Sequence, residues 1–333
     1  MMLRVALLGG GSWGTTVASM VSRNAPITLW ARDAATVEDI NHNRRNSRYL
    51  PDIVLPAALR ATRDLGEAVS NADVVVMGVP SHSFRSVLEE VAKHIRPWVP
   101  VISLTKGLEL ASGKRMSELI VECLPGHPVG VLTGPNLARE IMAGKAAATV
   151  ISMEDEIILR RLQMLFHSGL FRVYTNTDLI GCELGGVLKN IIAIAVGMGD
   201  GQGAGDNTRS ALITRGLAEI TRLGLAMGGR AETFAGLTGM GDLIATCTSP
   251  LSRNRHVGVE LGRGRRLDDI IGAMHMVAEG VKSAPTVIAL AEKYGVDMPI
   301  SRDVFDVIQG NRTPTEIFRG LLRSAVGAES EAG

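Results

Sequence analysis

The sequence is poor in the residues that mark the special classes of protein. It has three cysteines, Cys123, Cys182 and Cys247, far apart and without a CxxC among them. An odd, dispersed set argues against a disulfide framework or a zinc site and fits thiols kept reduced in a cytosol. The seven histidines are scattered, with no HExxH and no His–Cys spacing, so no metal is expected. An excess of one charge is missing too: 35 basic against 34 acidic residues leave a formal charge of +1, with the two signs interleaved. Aromatic residues are only 4% of the chain and do not alternate with basic ones. Nucleic acid is therefore not an expected partner, and no basic amphipathic stretch points to a membrane surface. The longest uninterrupted apolar run, 191–198, falls well short of the roughly 20 residues a membrane helix needs. The opening "MMLRVALLGGG" ends in glycines instead of a cleavage site and does not read as a signal peptide. A soluble, cytoplasmic protein is the expectation.

What is present falls into two textures. Through the first half, short apolar runs at 3–9, 27–30, 72–80, 99–105, 128–135 and 147–153 alternate with helical patterns. Apolar strands separated by helices predict a parallel sheet covered on both faces. From about Asp178 the pattern becomes long helices with glycine-rich breaks. At 333 residues two domains are expected. The predicted class is α/β: a Rossmann-like doubly wound dinucleotide-binding domain over 1–177, an all-helical substrate and catalytic domain over 178–325, and a disordered tail over 326–333.

Directly after the first strand stands "LLGGGSWGTT", in which Gly9, Gly11 and Gly14 form GxGxxG. In a strand–turn–helix context the first glycine permits the turn, the second admits a pyrophosphate, and the third lets helix pack on strand. The helix N-terminus then offers N–H groups to the phosphates. At the end of the second strand the chain reads Trp30-Ala31-Arg32-Asp33, where an arginine favours the 2′-phosphate of NADP and an acid the ribose of NAD. Arg32 comes first, so NADP is favoured without excluding NAD. Lys106 follows a strand, at the edge where open α/β sheets bind ligands. Ser252 is a candidate N-cap, and with Arg253 and Asn254 it makes an anion site at a helix N-terminus. Asp242 lies in a glycine-rich turn and Glu279 beside Gly280. Lys189 is the one charge between Glu183 and Asp200 in "ELGGVLKNIIAIAVGMGDG". A buried ammonium is costly unless compensated. On a helix it shares a face with Gly185, Gly186 and Ala193, small residues that clear space above it, while Asn190 is placed to bond across a helix packing.

Taken together, "GGGSWGT" with Arg32, "RRNSRYLP", "LTKGLE", "LTGPNLARE", the Lys189 helix, "LTGMGDLIATCTSPLSRNRHVG" and "VAEGV" are similar in order and spacing to the bacterial-type NAD(P)-dependent sn-glycerol-3-phosphate dehydrogenases. The resemblance implies reversible hydride transfer between NAD(P)H and dihydroxyacetone phosphate, giving sn-glycerol 3-phosphate for phospholipid synthesis, in a homodimer formed through the helical half. It implies cofactor contacts by Ser12, Trp13, Arg32, Tyr49 and Lys106. Ala138, Arg253, Val277 and Glu279 would meet the cofactor from the second half. Lys189 would be the acid/base, and Lys106, Gly134, Asn136, Asp242, Ser252, Arg253 and Asn254 would line the substrate site. Asn136 departs from the family's usual serine. Two alternatives stay open at this point: a β-hydroxyacid or ketopantoate-type reductase, and a non-catalytic dinucleotide-binding redox sensor.

Overall fold

The computed structural model describes residues 3–274 and 278–321. The anticipated tail 326–333 lies outside them. The chain divides into two compact units, one from residues up to 109 together with 114–179, the other from 110–113 and from 180 onward.

The first unit is an eight-stranded sheet: β1 (Val5–Leu8), β2 (Ile27–Trp30), β3 (Arg60–Thr62), β4 (Val74–Met77), β5 (Val101–Ser103), β6 (Val129–Thr133), β7 (Ala147–Met153) and β8 (Phe171–Asn176), in the order β3-β2-β1-β4-β5-β6-β7-β8. Its helices are α1 (Ser12–Val21), α2 (Ala34–Glu38), α3 (Leu65–Ser70), α4 (Phe84–Val91), α5 (Met116–Cys123), α6 (Ala138–Met142) and α7 (Glu156–Phe166). Strand alternation builds two cores. Val5 and Leu7 enter one with Val17, Val76, Leu162 and Phe166, while Ala6 and Leu8 enter the other with Met77, Phe84 and Leu88. Both faces are buried, as doubly wound sheets require. In α4 the buried residues are Phe84, Val87, Leu88 and Val91, the i, i+3, i+4, i+7 stripe that packs a helix on a sheet.

The sheet departs from the expected parallel arrangement at one boundary. β7 pairs antiparallel with β6, and β8 then pairs parallel with β7, so the last two strands run opposite to the other six. The connections explain this. Between β6 and β7 the only helix is five residues, about 7.5 Å of rise, too short to carry the chain back along a strand. The 11-residue α7 does carry it back, and β8 is parallel to its predecessor.

The second unit is helical: α8 (Leu179–Gly201), α9 (Asp206–Ala226), α10 (Ala231–Ala235), α11 (Asp242–Thr248), α12 (Arg253–Gly262), α13 (Leu267–Gly272), α14 (Glu279–Tyr294), α15 (Pro299–Ile308) and α16 (Pro314–Leu321). α8 is its axis. By length and composition alone α8 resembles a membrane span, with a mean hydropathy of 1.8, yet 89% of that window is buried inside the protein. Uninterrupted runs understate it, because Lys189 and Asn190 break them. α8 crosses α12 at facing glycines. A Cβ on Gly197 or Gly201 would collide with the Arg255 or Val259 carbonyl, and one on Gly258 or Gly262 with the Ile194 or Met198 carbonyl. The two backbones therefore touch.

Candidate active site

In the first unit, β1 runs into the glycine turn and the turn into α1. β1 lies between β2 and β4, where the strand order reverses, the place where open sheets bind ligands. Gly9 has φ +130°, and a Cβ there would stand 2.5 Å from the Gly78 carbonyl oxygen. A Cβ on Gly14 would overlap the Gly9 carbonyl. Both glycines are thus demanded by the chain itself. Gly11 is different: nothing lies within 4 Å of where its Cβ would be. A glycine with open space before it, at a helix start with no side-chain cap and no acid in its first turn, is a cradle that fits a dinucleotide's pyrophosphate. Ser12 and Trp13 open the helix. The Trp13 ring is turned into the core, 6.3 Å from the Phe171 ring centroid, with its indole nitrogen buried and unbonded.

At the end of β2, Arg32 is exposed. Asp33 caps α2, accepting from the Thr36 backbone N–H (3.2 Å) and hydroxyl (2.7 Å), and the Thr36 hydroxyl is the main reason its carboxyl pKa is lowered. Arg48 stands 3.9 Å from Asp33 and 5.5 Å from the ring centroid of Tyr49. Lys106 follows β5 and donates from Nζ to the Gly134 carbonyl just after β6 (2.7 Å), so these two residues do meet. Asn136 is turned toward β7, its Nδ2 donating to Thr149 Oγ1 at 3.0 Å. Ala138 opens α6 and so belongs to the first unit, not to the second half.

The second unit answers how a lysine is held in an apolar helix. Lys189 is 5% exposed on α8 and forms an ion pair with Asp242, itself 1% exposed at the start of α11. Lys189 Nζ also donates to Thr246 Oγ1 at 2.6 Å, and that hydroxyl donates to the Asp242 backbone carbonyl (2.6 Å). Carboxylate and hydroxyl lie one helical turn apart, which lets both reach one ammonium. Gly185 has a role other than clearing space above the lysine. A Cβ there would be 2.6 Å from the Thr238 carbonyl, so the missing side chain admits the 237–241 turn that delivers Asp242.

Next to Lys189, Asn190 Oδ1 accepts from Asn254 Nδ2 (2.9 Å), and Asn254 Oδ1 accepts from the Gly280 N–H (3.0 Å). The bond across the helix packing is therefore present and ties α8, α12 and α14. Gly280 allows it, since a Cβ would lie 2.7 Å from the Asn190 carbonyl. Ser252 caps α12 as expected, accepting from the Arg255 N–H at 3.2 Å. Arg253 is exposed by surface area, yet enough protein surrounds its guanidinium that desolvation lowers its pKa, with Glu279 pulling the other way. Val277 lies outside the described residues.

Two contributors escaped the sequence reading. Thr246 is one turn beyond Asp242, a spacing that could have flagged it. Asp200, at the end of α8, accepts from Arg209 Nε (3.0 Å) and Arg255 Nε (2.8 Å) and so fixes the start of α12. Among the described residues no group of three or more His, Cys, Asp or Glu side chains is placed to hold a metal ion.

The family model described as NAD-dependent glycerol-3-phosphate dehydrogenase N-terminus matches residues 4–158, and its C-terminus counterpart matches 178–319. Glycerol-3-phosphate dehydrogenase (NAD(P)+) 2 of Sphingopyxis alaskensis is 78% identical over the full length of both chains. Glycerol-3-phosphate dehydrogenase (NAD(P)+) 1 of Mycobacterium tuberculosis is 56% identical, over 98% of this chain and 96% of its own. The crystal structure of glycerol-3-phosphate dehydrogenase from Coxiella burnetii superimposes with a TM-score of 0.93 at 35% identity, covering 97% of this chain and 99% of that one. The chain belongs to the NAD-dependent glycerol-3-phosphate dehydrogenase family.

Proposed function

We propose that this protein reduces dihydroxyacetone phosphate to sn-glycerol 3-phosphate with NAD(P)H, reversibly, and supplies glycerophospholipid synthesis. Beyond family membership, the observation that carries the reading is the buried Lys189–Asp242–Thr246 cluster. The bound nicotinamide supplies a hydride for the carbonyl carbon. This chain's part is the proton for the carbonyl oxygen, given by Lys189 Nζ and taken back in the reverse direction. Asp242 offsets the buried charge, and Thr246 fixes the direction of the ammonium. Arg253, with Ser252 and Asn254 at the start of α12, binds the substrate phosphate. Lys106, Gly134 and Asn136 complete the substrate site. The first unit holds the cofactor through Gly9, Gly11, Gly14, Ser12, Trp13, Arg32, Tyr49, Lys106 and Ala138. The helical unit adds Arg253, Val277 and Glu279. NADPH is preferred through Arg32, which is supported by Asp33 being engaged as the cap of α2. The enzyme works as a cytoplasmic homodimer.

Absorbance at about 340 nm, where reduced nicotinamide is followed, tests this. Dihydroxyacetone phosphate should drive NADPH oxidation and ketopantoate should not; the reverse result makes the protein a keto-acid reductase. Oxidation with neither, despite cofactor binding, would favour a redox sensor. Arg32→Ala should weaken NADPH much more than NADH, and an equal loss of both would remove Arg32 from 2′-phosphate reading.

A further inference from the structure

One buried side chain beside the glycine turn belongs to no assigned role. Asn46 is 1% exposed, in the loop between the π-helical turn Asp39–Asn43 and β3. Its Nδ2 donates to the Gly10 carbonyl (2.8 Å) and to Thr15 Oγ1 on α1 (2.8 Å). We propose that Asn46 is a positioning residue for the dinucleotide, its amide aiming the N–H of Gly11 at the pyrophosphate. This deepens the reading of the chain as an NAD(P) enzyme and rests on it.

The carbonyl of Gly10 and the N–H of Gly11 belong to one planar trans unit and point in opposite directions. Anchoring the carbonyl on Asn46 therefore turns the Gly11 N–H to the opposite side. Glycine resists such fixing more than other residues, because it loses the most conformational freedom on ordering. A run of three glycines at 9–11 needs an outside anchor, and the second bond of Asn46 ties that anchor to α1 through Thr15.

The loop that carries Asn46 is itself braced. Arg44 Nε and Nη2 each donate to the Leu55 carbonyl at 3.1 Å, and the Leu55 N–H returns to the Arg44 carbonyl at 2.8 Å. The Ser47 N–H donates to Asp39 Oδ2 (2.8 Å), and the Tyr49 and Leu50 N–H groups donate to the Asn46 carbonyl. Both bonds of the Asn46 amide nitrogen go to the turn and to the helix it opens into.

Binding measured by calorimetry, apart from turnover, tests this with three ligands: NADPH, ADP-ribose and adenosine 2′-monophosphate. Asn46→Ala should raise Kd for NADPH and ADP-ribose by ~10-fold, the loss expected when a charge-assisted contact is misaimed. The 2′-monophosphate, which has no pyrophosphate, should bind as before. Thr15→Val should move the first two ligands the same way, and Thr15→Ser, which keeps the hydroxyl, should not. Unchanged NADPH binding in Asn46→Ala overturns the proposal. So does equal weakening of all three ligands, the mark of a merely disturbed fold. If Asn46→Ala does not fold, unchanged binding in Thr15→Val decides against it. A wild-type protein that binds none of the three fails the dehydrogenase reading itself.

Discussion

Removing the Lys189 ammonium takes the ion-pair partner from Asp242, whose side chain is 2% exposed. Judged from sequence alone, Lys189→Met should leave stability unchanged or raise it, because a buried ammonium is costly. The ion pair reverses that expectation, since breaking a buried pair from one side typically costs about 3–5 kcal/mol. Lys189→Met should therefore unfold at lower urea and lose turnover by ~100-fold or more. Lys189→Met/Asp242→Leu should recover most of the stability and none of the turnover. Near-normal kcat in Lys189→Met would remove the acid/base role. The lysine was legible because a charge in an apolar helix is conspicuous. Its partner was legible only as a polar residue in a turn, 53 residues away.

Helix ends in the second unit are finished by side chains from other helices, which local pattern does not reveal. Glu219 on α9 is 1% exposed and accepts from the Ile300 N–H (2.5 Å), the Ser301 N–H (3.1 Å) and the Ser301 hydroxyl (2.9 Å), capping α15. Burial is the largest influence on its carboxyl and raises its pKa, against those three donors. A folded-state pKa above the unfolded one means that the native protein holds the proton more tightly. The stability linked to that proton is full below the unfolded pKa and is lost as pH rises through the folded one. Glu219→Gln cannot titrate. Urea unfolding from about pH 4 to pH 7 should show the wild type losing ground to Glu219→Gln as pH rises. A difference independent of pH would mean that Glu219 does not titrate in this window. At the same scale, six strands announce themselves as apolar runs, while β3 and β8 do not. β3 is three residues long at a sheet edge, and β8 buries Phe171 and Val173 while exposing Arg172 and Tyr174. Edge strands are covered on fewer sides, so alternation replaces the continuous run.

For the whole molecule, cofactor binding and fold stability are linked by mass action. A ligand at 100 times its Kd stabilises the form that binds it by about 2.7 kcal/mol. Because a Cβ on Gly11 meets nothing, Gly11→Val should lose little stability without cofactor beyond the cost of a β-branched residue at a helix N-cap, about 1 kcal/mol. It should also fail to show the rise in Tm that NADPH gives the wild type. A normal NADPH-linked rise in Gly11→Val would move the pyrophosphate away from this turn. The two-part division and the site motifs were readable in sequence because each rests on local pattern: alternation, glycine spacing, a cap. The reversal at β7 and the α8–α12 contact were not, because they depend on connection length and on which glycines face each other in space. That contact also limits how the protein can change over generations. Where side chains meet, an enlargement on one helix can be answered by a reduction on the other. Between Gly197, Gly201, Gly258 and Gly262 and the carbonyls they face there is nothing left to reduce. A lineage carrying a larger residue at any of the four has no second-site reversion open to it on the opposite helix, only the return to glycine.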